Sequence, residues 1–111
     1  MNEKMVKLLD LVVERTAKNE IPWQDTPDDS AFEAHMGDSS FSIEETREGY
    51  RFSAYDSSGR RLEAISTVPI QTFGDPTIQF NEKLSDLFDS ARKQALQVDE
   101  NLDRLIEAMS A

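Results

Sequence analysis

The chain has no cysteine, which removes disulfides, thiolate catalysis and sulfur-ligated metals from consideration. Histidine is limited to His35, so a Cys–His pair, a zinc site of several histidines and a two-histidine iron site are excluded as well. Glycine occurs at only 4 positions, each isolated in turn-forming sequence, and none builds a phosphate-cradling loop. Apolar runs are short: nothing approaches the roughly eighteen residues that a spanning helix requires. Bases are scarce too, with 12 Lys and Arg against 22 Asp and Glu in 111 residues, a net charge of −10.

These absences leave little room for catalysis. A Ser–His–Asp arrangement depends on His35, which sits mid-strand on the face opposite Phe32 and Ala34, with no glycine-framed serine turn beside it. Neighbouring carboxylates such as Glu44-Glu45 project to opposite faces of a strand, so they do not form an acid–base pair. Asp25, Asp28 and Asp29 gather carboxylates in one loop, but lack the alternating ligands, glycine and distal glutamate of a helix-loop-helix calcium site. The expectation is a protein that is not an enzyme, with no catalytic residue, cofactor or metal.

The acidity is local. Residues 21–50 hold Asp25, Asp28, Asp29, Glu33, Asp38, Glu44, Glu45 and Glu48 against Arg47 alone, whereas residues 1–20 and 51–76 are balanced. A surface of this sign repels phosphate backbones, so no nucleic acid is expected as a partner. Asp25, Asp28, Asp29, Glu44 and Glu48 form a candidate acidic patch. It reads either as a solvated face or as a mimic that inhibits a basic nucleic-acid-binding protein.

What is present is enough for one α+β domain over residues 1–111. Met5, Leu8, Leu9, Val12 and Thr16 recur at helical spacing, which predicts a helix over 3–18. Asn19 follows as a residue that tolerates the left-handed cap conformation. Pro22 holds Ile21 extended, and Trp23 is expected to plug the core. Residues 24–30 are turn chemistry throughout.

From Ala31 the period becomes two, predicting strands over 31–36, 41–44, 50–55 and 60–67 joined by short turns, an antiparallel meander with one apolar face. In the fourth strand Leu62 and Ala64 share one face while Ile65 falls on the other, which a bulge or an exposed Ile65 explains. Residues 66–77 read as an irregular crossover, with Asp75-Pro76 or Asn81 starting the last helix.

Leu84, Phe88, Ala91, Ala95, Val98, Leu102, Leu105 and Met109 then follow at alternating steps of four and three, which predicts one uninterrupted helix over 84–109. Such a helix runs to about 39 Å at ~1.5 Å per residue, against about 20–23 Å for the strands. Its second half therefore packs on the first helix or forms a dimer seam. The chain is expected to be a monomer, or a homodimer through this C-terminal helix. The predicted order is α-β-β-β-β-α, both helices covering one face of the sheet.

The ordering Val12-x3-Thr16-x6-Trp23, a meander, then Ala91-Arg92-Lys93-Gln94-Ala95 and Val98-Asp99 resembles a widespread group of small bacterial proteins of unassigned function. The resemblance implies fold and bacterial origin and carries no catalytic residues. Small acidic chaperones of bacterial secretion systems are similar in size, charge and mixed build, although their extra strands and interrupting helix are missing here. A bacterial nucleoid-associated family shares the helix–meander–helix order, but the acidic charge does not carry over its DNA binding.

The functional expectation is a soluble, cytoplasmic, non-enzymatic protein-interaction or regulatory domain of unknown protein partner, with no membrane contact. The opening residues 1–7 mix acids with bases and are not expected to be a signal peptide. The candidate partner surface is the polar face of the sheet, with His35, Arg51, Tyr55, Arg61 and an exposed Ile65.

Overall fold

A computed structural model describes residues 3–68 and 77–110. Helix α1 (Glu3–Ala17) leads into strands β1 (Gln24–Asp25), β2 (Ala31–Met36), β3 (Ser39–Thr46), β4 (Gly49–Tyr55) and β5 (Arg61–Ser66), followed by helices α2 (Thr77–Ala95) and α3 (Val98–Ser110). The strands form one antiparallel sheet in the order β1-β2-β3-β4-β5. The α+β class is the predicted one, with, among the described residues, five strands in place of four and two C-terminal helices in place of one.

Helix α1 buries Met5, Leu9, Val12 and Thr16, the stripe that its sequence spacing sets out. It ends in a Schellman motif: the Glu20 N–H donates to the Arg15 carbonyl (2.9 Å) and the Asn19 N–H to the Thr16 carbonyl (3.0 Å), with Asn19 at φ 58°. Trp23 is buried, as expected. Its indole N–H donates to Thr16 Oγ1 at 3.0 Å and its ring stands edge-on to Phe41, 5.4 Å between centroids.

The register places Phe32, Ile43, Phe52 and Ile65 in one row across four strands, and all four are buried beneath the helices. With Leu9, Leu84, Leu87 and Ala91 they form a single contiguous core. Burying each large apolar side chain is worth about 1.5–3 kcal/mol. The exposed Lys83–Asp10 ion pair that joins α2 to α1 at 2.8 Å belongs to a class worth about 0–1 kcal/mol. Apolar packing, not this pair, holds the helices down.

Ile65 is therefore not exposed on the polar face. The register slips between Ala54 and Tyr55, since Tyr55 pairs with Arg61 but Ala54 with Glu63. Leu62 is the extra, bulged residue and is 63 % exposed, while Ile65 turns inward at 7 %. The other departures have equally local causes. Strand β1 is only two residues long and pairs Gln24 with Glu33 and Asp25 with Phe32; so short a strand carries no period of its own. Asn81 lies inside α2 rather than at its start, where its side-chain amide donates to the Val68 carbonyl (2.8 Å) and its carbonyl accepts from the Val68 N–H (3.0 Å). The start at Asp75-Pro76 and most of the crossover lie outside the described residues.

The largest correction concerns residues 84–109, which form two helices. Gln97 adopts φ 50°, and the Asn101 side-chain amide donates to the Leu96 carbonyl at 2.7 Å, satisfying one of the acceptors that the end of α2 leaves free. At roughly 100° per residue, Leu96 in a continuous helix lies about 120° round from Leu84. Leu96, still held by its N–H to the Arg92 carbonyl (3.0 Å) in the last turn of α2, packs against the core, and the chain turns away at the next residue. Beyond it α3 meets chiefly α2, makes no extensive contact with α1, and buries no residue.

Candidate functional site

Three surfaces qualify. The first is the open face of the sheet. His35, Ser40, Tyr55 and Arg61 form one row across β2 to β5, and Glu44, Arg51 and Ser66 another. The fold thus brings His35, Arg51, Tyr55 and Arg61 onto one face, and removes Ile65 from it. Part of this face is internally satisfied: Arg51 Nη1 donates to Glu44 at 3.0 Å, and Tyr55 and Ser42 share a hydroxyl–hydroxyl bond at 3.3 Å; His35 lies 3.6 Å from Glu33, beyond hydrogen-bond distance. Between these rows, Ser53 is buried with its Oγ unpartnered. The face is polar and partly self-paired, and among the described residues no large apolar side chain stands at its centre.

The second surface is the acidic segment. Its residues serve the loop itself: Asp25 Oδ1 accepts from the Thr26 N–H (2.9 Å) and Asp28 Oδ1 from the Ser30 N–H (2.8 Å). Glu44 carries Arg51 as its counterion. Asp29 and Glu48 are exposed in the adjoining turns. Among the described residues no group of three or more carboxylates or histidines is placed to hold a metal ion.

The third surface is α3, whose stripe the sequence leaves open between packing on the first helix and a seam with a partner. Leu102, Leu105, Ile106 and Met109 are 50, 61, 63 and 85 % exposed and follow one another at i, i+3, i+4 and i+7, which places them on one side of the helix. Between the α2–α3 corner and the chain leaving α1 lies a groove of about 600 Å³, whose wall includes Pro22, Trp23, Lys93, Gln94, Asp99 and Glu100. Asp99 and Glu100 belong to α3, so the groove is continuous with the first turn of that helix. A smaller recess of about 310 Å³ lies at Tyr50, Thr67 and Asn81. Among the described residues no helix is long and apolar enough to cross a membrane.

The chain matches no protein-family model, no curated protein and no solved structure. The functional reading therefore rests on these surfaces.

Proposed function

We propose that the protein is a non-enzymatic, cytoplasmic protein-interaction domain that docks a protein partner through α3. The observation that carries the reading is the row Leu102, Leu105, Ile106 and Met109, four large apolar side chains exposed on one side of a helix that buries nothing in its own chain. An isolated 13-residue helix is marginal in water, and an apolar stripe left in solvent gains free energy when another surface covers it. The sheet face offers no comparable anchor. The mimic reading of residues 25–48 is less favoured, because Asp25 and Asp28 accept hydrogen bonds from their own loop and Glu44 is neutralised by Arg51.

The test pairs two substitutions of equal chemistry. Ile106→Asp alters the exposed stripe; Leu62→Asp alters an equally exposed residue at the sheet edge. With cross-linking in cell extract as the readout, protein adducts formed by the native chain are lost in Ile106→Asp and kept in Leu62→Asp, while both variants unfold at the native urea midpoint. Adducts that survive Ile106→Asp and vanish with Leu62→Asp move the docking surface to the sheet.

A further inference from the structure

The charges around the α3 stripe define the partner's chemistry, on the reading that α3 is the docking element. Taking roughly 100° per residue, Asp99, Asp103 and Glu107 lie in a line along one flank of the stripe, with Glu100 just behind them. The opposite flank holds Asn101, Arg104 and Ala108. The line spans about 12 Å at ~1.5 Å per residue. None of the four acids forms a salt bridge among the described residues; Glu82 and Asp86 of α2 form none either, whereas Asp10, Glu14, Glu20 and Asp89 on or beside the other helices each have a basic neighbour. The row continues into the groove at the α2–α3 corner, whose wall includes Asp99 and Glu100.

We propose that the occupant of α3 is an amphipathic helix of another protein that sets an apolar stripe against Leu102, Leu105, Ile106 and Met109 and a line of Lys or Arg against Asp99, Asp103 and Glu107. A second copy of this chain fits worse. Antiparallel pairing sets the acidic flanks against each other, and parallel pairing offers the single base Arg104 to four acids; like charges at this range repel. An anionic lipid surface meets the same repulsion. The helix is also short: about 20 Å of length supplies only part of the ~800 Å² per partner of a standard interface. The partner segment therefore extends past Asp99 over the corner groove.

The experiment uses two fluorescein-labelled, lactam-stapled helical peptides of two to three turns longer than α3. Both carry a leucine stripe, one with lysines and the other with glutamates along a single flank. Fluorescence anisotropy with the full chain is expected to show the lysine peptide binding at least about tenfold tighter than the glutamate peptide, and weakening severalfold between about 50 and about 300 mM salt. The double substitution Asp103→Lys with Glu107→Lys inverts the preference, and Ile106→Asp abolishes binding of both. Equal binding of the two peptides, or a preference that the double substitution leaves unchanged, overturns the basic partner while loss in Ile106→Asp still upholds docking on α3. Binding that is indifferent to Ile106→Asp, or absent for both peptides, overturns the proposal at the level of the surface itself.

Discussion

Single residues decide where this fold is tightly specified. Thr16 serves three neighbours: its Oγ1 accepts from the Trp23 indole, its carbonyl accepts the Gln94 side-chain amide at 2.9 Å, and the same carbonyl closes the α1 cap. Thr16→Val keeps the shape and removes only the first bond, leaving a buried indole N–H without an acceptor. The expected cost is about 1–3 kcal/mol, read from urea unfolding, with Thr16→Ser close to native because the hydroxyl remains. A second residue, Asp56, organises the turn between β4 and β5. Ser58 donates its hydroxyl (2.7 Å) and its N–H (3.0 Å) to Oδ1, and Arg60 donates its N–H (3.0 Å) to the same oxygen and its Nε to Oδ2 (3.2 Å). These bonds, led by the Ser58 hydroxyl, favour the charged carboxylate and hold its pKa below the ordinary 3.8. Because the folded value is the lower one, the turn's contribution is complete above the unfolded pKa and is lost as pH falls through the folded pKa. Titration of the Asp56 carboxyl carbon by NMR is expected to give a midpoint below 3.8, and Ser58→Ala to move it upward.

At the scale of elements, the hairpins were legible because each carries its own period and its own turn. Gly49, for instance, sits at φ 148° where a Cβ would come within 2.5 Å of Thr67 Oγ1, so sequence, turn and packing agree there. The α2–α3 corner was illegible for the opposite reason. The stripe from Leu84 to Met109 keeps its period through the break, and the signals that end α2 are a residue able to sit at positive φ, an asparagine four residues on, and a leucine off the stripe. Each is weak alone. For Ile65 the sequence offers a bulge or an exposed position, and the bulge is what the fold uses: Leu62 reverses the parity of everything after it and turns Ile65 inward. The polar face was legible in the same way, since the strand period alone brings His35, Arg51, Tyr55 and Arg61 to one side; the α3 stripe is compatible both with packing on α1 and with a seam to a partner, and its period does not decide between them. The corner makes its own prediction. Gln97 holds a left-handed conformation at φ 50° that costs a residue with a Cβ about 1–2 kcal/mol, and glycine adopts it without that penalty. Gln97→Gly is expected to raise unfolding stability by up to about 1 kcal/mol with unchanged helix content by circular dichroism. A loss of stability would mean that the corner is not populated in solution and that the helix runs straight.

The whole molecule carries a net charge of −10 and measures 53 × 40 × 26 Å, with a radius of gyration of 15.6 Å against about 13 Å for a compact chain of this length. An element standing clear of the core gives that excess, and α3 is such an element. Two forces then compete when copies meet. Apolar stripes attract, at about 25 cal/mol per Å² covered; net charge and the acidic flanks of α3 repel over a Debye length of about 10 Å at ~0.1 M salt. At low salt repulsion wins, and light scattering is expected to show the 12.6 kDa monomer. Near 1 M salt the screening length falls to about 3 Å and only the stripe remains. Its contact is too small to offset the roughly 4–15 kcal/mol lost in immobilising two copies, so the monomer is expected to persist. A dimer that appears only at high salt and vanishes in Ile106→Asp would show that the stripe is self-complementary and that charge alone keeps the copies apart. A dimer already present at low salt and lost in Ile106→Asp would instead make a second copy of the chain the occupant of α3 and displace the basic helix.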